Sequence, residues 1–183
     1  DLVLGSNQTW YWRVAAYVTG QTESYSEIYR FTTLATSSVI TTFPWTEGFE
    51  GSTFPPTGWT VANVDGGGNT WTVNTTAAYV HSGTKSAVHA YGTAIPDPGE
   101  NGWLISPPVQ LPDTGVGGLT FWNYNRYGYE VYNGLLINTD PNPMDPYWEE
   151  LWTQDETPGA WAQETINLGD YMGQIVYFAF KYT

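Results

Sequence analysis

Short runs in which apolar and polar residues alternate recur along the chain, and turn residues separate them. Runs of this kind, rich in β-branched and aromatic residues, are typical of β-strands. Helical spacing is nearly absent, and residues 170–173 make at most one turn. The predicted strands of the main part of the chain are 59–61, 71–73, 86–91, 102–105, 119–124, 134–137, 149–152, 161–167 and 174–181. Many short strands joined by turns favour an all-β sandwich.

Alternation also predicts which side chains face the core, because successive residues of a strand point to opposite faces of a sheet. Leu119 and Phe121 are expected on the core face of one strand. Ile175, Tyr177 and Ala179 are expected on the core face of the last strand.

The first 34 residues predict a separate hairpin, with strands at 9–17 and 26–33 around a turn at 20–24. A hairpin alone buries too little area to be stable in water. We therefore interpret residues 1–34 as part of another β-domain, with a hairpin of the main domain as the alternative. Small and polar residues at 35–43 predict a linker, and the main domain is expected at 44–183.

Charge and composition exclude several functions. The chain has 183 residues and a formal net charge of -13, from 18 acidic and 5 basic side chains. Such a chain repels nucleic-acid phosphates and anionic lipid surfaces. No apolar run approaches the roughly 20 residues that span a bilayer, so membrane insertion is not expected. Cysteine is absent, which excludes disulfides and thiolate metal sites.

A glycine-rich turn between two tryptophan-containing strands carries the strongest site signal. Its side-chain and carbonyl oxygens suit a hard cation such as calcium, and glycine allows the tight bend that gathers them. The candidate ligands are Asn63, Asp65, the carbonyl of Gly67, and either Glu47 or Glu50. The alternative is an ordinary turn with a solvated aspartate, since Asp and Asn favour turns by themselves.

Tyrosines and tryptophans interleaved with amide side chains form a second candidate surface. Exposed rings bury apolar area of a sugar or peptide while amides supply hydrogen bonds. The candidate residues are Tyr124, Tyr127, Tyr129 and Trp148. The alternative is that these rings pack into the sandwich.

No residues predict catalysis. His81 and His89 are the only histidines, their spacing does not suit a zinc site, and no Gly-x-Ser-x-Gly motif is present. Acidic residues are plentiful, but none stand out as the paired carboxylates of a glycosidase. Asp97, Glu100 and Asn101 form a second acidic cluster, which we interpret as part of an exposed, proline-rich loop, with an ion-holding cluster as the alternative.

Six ordered motifs after Pro44 resemble the cleaved adhesin domain of the gingipain type, also called choice-of-anchor J and similar in shape to MAM domains. They are Trp45-Thr-Glu-Gly-Phe-Glu-Gly51, Phe54-Pro-Pro-Thr-Gly-Trp59, the glycine-rich turn, His81-Ser-Gly83, Asn101-Gly-Trp-Leu-Ile-Ser-Pro107 and Ile175-Val-Tyr-Phe-Ala-Phe180. The resemblance implies a jelly-roll β-sandwich in secreted multidomain proteins, with an acidic residue of the Glu47–Glu50 segment approaching the turn. Residues 4–34 resemble the last strands of a fibronectin type III domain, a frequent companion.

Two features depart from this family. The turn carries Asn63 and Gly67 where the family usually has aspartates, so calcium affinity is expected to be lower. The family also has a further strand with an Asp-Asp pair, which this sequence lacks, so the last strand is expected to be missing.

The sequence therefore predicts a noncatalytic, calcium-stabilised adhesion or ligand-binding module of a secreted or cell-surface bacterial protein. The expected partners are a host or matrix protein or glycan, or neighbouring copies of itself. The alternatives are an accessory domain of a secreted protease or other hydrolase, and a subunit of an extracellular filament assembled by strand complementation.

Overall fold

The computed structural model describes residues 9–17, 19–20, 24–32, 38–65, 69–90, 100–115, 117–126, 132–154 and 159–183. The chain divides into two compact units, Asp1–Ser37 and Ser38–Thr183. The division falls inside the predicted linker at 35–43, while the domain boundaries themselves stay a prediction. No α-helix occurs among the described residues, where two 3-10 turns, Ala77–Tyr79 and Gly169–Tyr171, are the helical elements.

The described residues of the first unit form two antiparallel strand pairs, as their alternating pattern predicts. β1 (Thr9–Trp12) pairs with β4 (Tyr29–Thr32), and β2 (Ala15–Ala16) pairs with β3 (Ser24–Tyr25). Membership of a fibronectin type III domain stays a prediction.

The described residues of the second unit form ten strands. They are β5 (Thr60–Asn63), β6 (Trp71–Asn74), β7 (Ser86–His89), β8 (Gly102–Ile105), β9 (Val109–Gln110), β10 (Gly118–Tyr124), β11 (Asn133–Asn138), β12 (Glu149–Thr153), β13 (Trp161–Asn167) and β14 (Ile175–Tyr182). The main sheet has the order β12-β11-β14-β8-β5, and β9 pairs with β14 beside this path. All nine predicted strands are present; β9 was not predicted.

A second layer covers one face of the main sheet. It contains the antiparallel pairs β10–β13 and β6–β7. Leu119, Phe121 and Ile166 of β10 and β13 pack against the larger core cluster, and Trp71 of β6 contacts Phe180 with ring centroids 6.3 Å apart. Two β-layers around one core make a sandwich, so the all-β prediction is confirmed; its jelly-roll connectivity stays a prediction.

The larger core cluster lies between these layers. Its buried members are Val109, Leu111, Leu135, Ile137, Leu168, Val176 and Phe178. Burying a large aliphatic or aromatic side chain contributes about 1.5–3 kcal/mol each. This cluster therefore fixes the two layers on which the candidate sites lie.

The opposite face of the main sheet is covered as well. A smaller cluster there contains Trp103, Ile105, Leu136 and Ala179. Central strand β14 thus has buried side chains on both of its faces, whereas simple alternation predicts one buried face. Ala179 is buried as expected, but Ile175 is 44% exposed, so its placement in the core was wrong. It lies at the beginning of β14, where β9 is its described pairing partner.

Candidate functional site

The predicted cation site lies where β5 ends. Asn63 is the last residue of β5, and its amide Nδ2 donates to the carbonyl of Asn69 over 2.9 Å. The Asn69 amide in turn donates to Oε1 of Glu100 over 2.7 Å. Asp65 is exposed and lies two residues after Asn63. The fold therefore brings Asn63, Asn69 and Glu100 to one place; Gly67 lies outside the described residues.

Glu100 forms a buried pair with His89. Oε2 of Glu100 lies 3.6 Å from Nδ1 of His89, and the side chains are 7% and 1% exposed. The interpretation of Glu100 as part of an exposed loop was therefore wrong. Its Oε2, together with Nε2 of His89 and Oγ1 of Thr70, is buried without a hydrogen-bond partner in the described part of the chain. Buried polar atoms normally have hydrogen-bond partners, so these three atoms leave hydrogen-bonding capacity unused at this site.

Burial controls the charge of His89. It lowers the pKa of His89, and the nearby carboxylates of Glu100 and Asp65 and the Ala90 carbonyl oppose that shift only in part. The ring stacks on Tyr182, with centroids 4.3 Å apart, and meets Trp71 edge-on at 5.7 Å. A neutral imidazole with its proton on Nδ1 can donate to the Ala90 carbonyl, 3.1 Å away. Burial therefore disfavours the charged form of His89 at this spot.

The Glu50 carboxylate is hydrogen-bonded to a different turn, the one that precedes β7. Its carboxylate accepts from the backbone N–H groups of Thr84 and Lys85, each over 2.9 Å, and from the Thr84 hydroxyl over 2.6 Å. Lys85 Nζ donates to the carbonyls of Glu50 and Gly51. These hydrogen bonds tie the segment before β5 to the turn before β7. They lower the pKa of Glu50, the Thr84 hydroxyl bond contributing most.

Glu47 also has a local role. Its Oε1 accepts from the backbone N–H of Phe49 over 2.5 Å. Phe49 is in the left-handed region with φ 61°, which is uncommon for a residue with a side chain. The Phe49 ring packs against Phe54 and Trp59, at 6.0 and 5.6 Å between centroids. The Glu47 carboxylate thus stabilises the strained bend at Phe49, and this bend places the Phe49 ring against Phe54 and Trp59.

The predicted set of cation ligands is therefore brought together in part. Among the described residues, no group of three or more His, Cys, Asp or Glu side chains is arranged to hold a metal ion. A cation here would need amide and backbone oxygens beside at most two carboxylates. Asn63 and Asp65 suit that requirement, and the predicted participation of Glu47 or Glu50 stays a prediction.

Replacing Glu50 with glutamine is expected to lower the melting temperature at neutral pH, because a neutral amide accepts these three hydrogen bonds less strongly. The pKa of Glu50 is lower folded than unfolded, so its contribution is present above its ordinary range and is lost as pH falls through the folded value. Melting curves between about pH 3 and pH 7 should therefore be less acid-sensitive for E50Q. Equal melting temperatures of both proteins across that range would contradict the assigned role.

A second candidate surface lies on the outer side of β10 and β13. We call it the aromatic face; it consists of Tyr79, His81, Trp122, Tyr124 and Trp161. His81 stacks on Trp122, with centroids 3.8 Å apart and planes 15° apart, and meets Trp161 edge-on at 5.4 Å. Tyr124 contacts Tyr79 at 5.5 Å and Trp161 at 5.4 Å. Trp122 is still 43% exposed.

Uncharged polar side chains border this face around Trp122, and the Arg126 guanidinium lies over the ring of Tyr79, 5.0 Å from its centroid. Trp122 pairs with Gln163 across the two strands, and Thr120 pairs with Thr165 one step along the same face. Thr120, Gln163 and Thr165 are all exposed. The alternate residues Leu119 and Phe121 point into the core. The sheet thus presents a partly exposed Trp122 ring, one face of which is covered by His81, beside amide and hydroxyl groups on a rigid backing.

The predicted aromatic residues are placed differently. Tyr124 belongs to the aromatic face, whereas Tyr127 and Tyr129 lie outside the described residues. Trp148 packs on Trp103, with centroids 5.3 Å apart, and its Nε1 donates to the carbonyl of Asn142 over 2.8 Å. Trp148 therefore helps cover the smaller core cluster, which was the alternative interpretation of these rings.

Sequence reasoning overlooked Trp122, His81, His89 and Glu100 as neighbours of these sites. A usable signal existed for Trp122, because alternation with Leu119 and Phe121 places it on the outer face. No local signal existed for the other three, since pairing between distant segments positions them.

The family of the second unit follows from comparison with known proteins. The profile of the family described as Cleaved Adhesin Domain matches residues 42–183. The chain belongs to the cleaved adhesin family. This family is an adhesion-related, noncatalytic module, so the resemblance noted in the sequence is confirmed.

Two relatives of this cleaved adhesin domain illustrate its context. Two proteins called Hemagglutinin A from Porphyromonas gingivalis are 28% and 26% identical to it over 166 residues. The similarity covers 77% of this chain but only 6% and 8% of those relatives. The chain therefore spans less than a tenth of the length of either relative.

Solved structures support the fold. The K1 cleaved adhesin domain of Lys-gingipain from Porphyromonas gingivalis W83 matches with a TM-score of 0.52 and 20% identity, over 69% of this chain and 81% of that one. The K2 domain of Lys-gingipain matches with a TM-score of 0.56 and 17% identity, over 76% and 88%. Both likenesses confirm the β-sandwich architecture. Among the described residues, no helix is long and apolar enough to cross a membrane.

Proposed function

We propose that this domain is a noncatalytic binding module of a secreted or cell-surface multidomain protein, and that it attaches to a host or matrix protein or glycan. The observation that carries the proposal is the aromatic face, where Trp122 is 43% exposed on a strand whose other side is fixed in the core. Exposed aromatic rings on rigid elements are suited to binding because little conformational entropy is lost. Membership of an adhesin family supports the same role.

The described titratable groups also favour binding over catalysis. The pair that is most enclosed, His89 and Glu100, is shielded by Tyr182 and Trp71 and is at most 7% exposed. A general acid or base must come within hydrogen-bond reach of its substrate. His89 and Glu100 have no such access.

Adhesion can be tested with the purified chain and an immobilised extract of extracellular-matrix glycoproteins. We expect saturable retention above the retention on an albumin-coated surface. The outcome that would overturn the proposal is equal retention on both surfaces at every protein concentration.

We propose further that calcium stabilises the domain, with Asn63 and Asp65 as ligands. Asn63 is linked to Glu100 through Asn69, and Oε2 of Glu100 is buried without a hydrogen-bond partner in the described part of the chain. Glu100 is thus a better-placed second carboxylate than Glu50, which already accepts three hydrogen bonds. Excess negative charge in a partly buried site favours a bound cation.

Calcium is expected to raise the melting temperature and a chelator to lower it. At about a hundredfold excess over the dissociation constant, the free energy of unfolding should rise by about 2.7 kcal/mol. D65N and E100Q should lose this response, and E50Q should keep it. The response of E47Q to calcium tests whether Glu47, the remaining acidic candidate, is a ligand. A wild-type melting curve that responds to neither calcium nor chelator would remove the proposal.

A second candidate function is that of an accessory domain of a secreted hydrolase. The observation that favours it is the likeness to two domains of Lys-gingipain. Such a domain would hold the enzyme near its target without taking part in bond cleavage. The full-length gene tests this alternative, because a hydrolase domain in the same polypeptide is required.

Assembly through strand complementation is the third candidate. β5 and β12 lie at the edges of the main sheet among the described strands. A sheet edge with unpaired backbone groups can accept a strand from another chain. Sedimentation over a hundredfold concentration range would test this idea, and a constant monomer mass would exclude it.

A further inference from the structure

We propose that the aromatic face binds neutral hexopyranose units of a glycan, with Trp122 as the stacking residue and Gln163 as its hydrogen-bonding neighbour. This inference rests on the proposed binding function and specifies its ligand. The shape, polarity and charge of this face favour that occupant.

The geometry of Trp122 suits one side of a sugar ring. A pyranose has an apolar C–H face and a rim of hydroxyl groups, so it requires a flat apolar surface with hydrogen-bonding groups beside it. Trp122 offers 43% of its surface to solvent and is held in place by the stacked ring of His81, 3.8 Å away. Trp161 supports His81 from the side.

The polar border matches the rim of such a ring. Gln163 lies directly across from Trp122 on the neighbouring strand, and Thr120 and Thr165 form the next pair on the same face. Cβ atoms of directly opposed residues are about 4.5–5.5 Å apart, and diagonal neighbours about 7–8 Å. These spacings are comparable with the width of one hexopyranose, so amide and hydroxyl groups can meet its hydroxyls while Trp122 carries the ring.

Charge distinguishes a neutral sugar from other occupants. The outward residues of this ladder are Thr120, Trp122, Tyr124, Trp161, Gln163 and Thr165, and none is ionised at neutral pH. The charged side chain at this face is Arg126, which lies over Tyr79, the neighbour of Tyr124, and not over Trp122. The whole chain nevertheless carries a formal charge of -13. A basic peptide would prefer the acidic surface elsewhere, and an anionic polysaccharide would be repelled by the net charge. An apolar peptide would leave the amide and hydroxyl border unused.

The direct experiment is native affinity electrophoresis of the purified chain in gels containing soluble mannan, galactan, β-glucan or polygalacturonate. We expect at least one neutral polymer to retard the wild type and polygalacturonate to have no effect. W122A should weaken binding about tenfold or more, equivalent to about 1.4 kcal/mol. Q163A should weaken it about threefold; since Gln163 is exposed, this variant keeps the test valid should W122A fold poorly.

Y147A is the matched control. Tyr147 is 79% exposed in the connection between β11 and β12, away from the β10–β13 ladder. We expect the mobility of Y147A to equal that of the wild type in every gel. Retardation of the wild type by no neutral polymer would overturn the inference. So would equal binding by the wild type, W122A and Q163A.

Retention on the matrix extract separates this inference from the proposed adhesion function. If retention survives both enzymatic deglycosylation of the extract and the W122A substitution, adhesion stands and the glycan inference fails. If the wild type is neither retained on the extract nor retarded by any polymer, both fail. Loss of retention after deglycosylation, and in W122A but not in Y147A, supports both.

Discussion

Replacing Ile137 with alanine is expected to lower the free energy of unfolding by about 2–5 kcal/mol. Ile137 is 2% exposed in the larger core cluster and pairs with Phe178 of central strand β14. Removing its three terminal carbons loses apolar burial and leaves a cavity between two layers that are fixed by other contacts. Both candidate sites depend on these layers. Chemical denaturation at fixed calcium concentration, followed by tryptophan fluorescence, measures the change.

Ile175 provides a matched control in the same sheet. It is 44% exposed at the beginning of β14, so I175A removes the same atoms from a position that remains in contact with water. We expect a change of less than about 1 kcal/mol. Similar losses for I137A and I175A would show that the core is not organised around β11 and β14 as described.

These two isoleucines also show what alternation can predict. The pattern at 174–181 predicts a strand, and β14 (Ile175–Tyr182) is present. Alternation assigns one buried face to a strand, which holds for β10, where Leu119 and Phe121 face the core and Trp122 is exposed. It fails for β14 because this central strand contacts core clusters on both faces. Which strand is central depends on topology, and local sequence does not contain that information.

β9 illustrates a different limit. Val109 and Gln110 form a two-residue strand between Pro108 and Pro112. Proline lacks the backbone N–H that a strand ladder uses, so a segment bordered by prolines does not predict a strand. Pairing of Val109 with Val176 nevertheless places a fully buried side chain in the core. Tertiary contacts therefore decide this element.

The predicted cation site could be found from the sequence only in part. The turn after Asn63 is local, so the oxygens of Asn63 and Asp65 were identifiable from a short segment. Glu100 enters through the pairing of β5 with β8, which aligns Asn63 with Gly102, and through the bond from Val64 N–H to the Asn101 carbonyl. His89 enters through the pairing of β6 with β7, where it lies opposite Trp71. Long-range strand register brings these side chains together.

The substitution of Gly102 by alanine is a sensitive test of that arrangement. Gly102 begins β8, and a Cβ atom there would overlap Nε2 of His89 and lie 2.6 Å from its Cδ2. His89 cannot turn aside easily, because its side chain is 1% exposed and its ring is stacked on Tyr182. Overpacking of this kind costs about 1–3 kcal/mol of stability. Denaturation curves of G102A and the wild type, recorded with and without calcium, measure the loss.

Two further variants test whether the loss in G102A is caused by overlap with His89. Gly118 lies in β10, and the nearest atom to a Cβ there is the Ile166 carbonyl oxygen at 3.7 Å, an ordinary contact. G118A should therefore change stability by no more than about 1 kcal/mol, because alanine also restricts the unfolded chain.

In the double variant H89A/G102A the overlapping ring is removed, so the loss of stability should be smaller than the sum of the losses in the two single variants. Additive losses would mean that His89 does not occupy the space above Gly102, and the described packing of the His89 ring against the beginning of β8 would then be wrong.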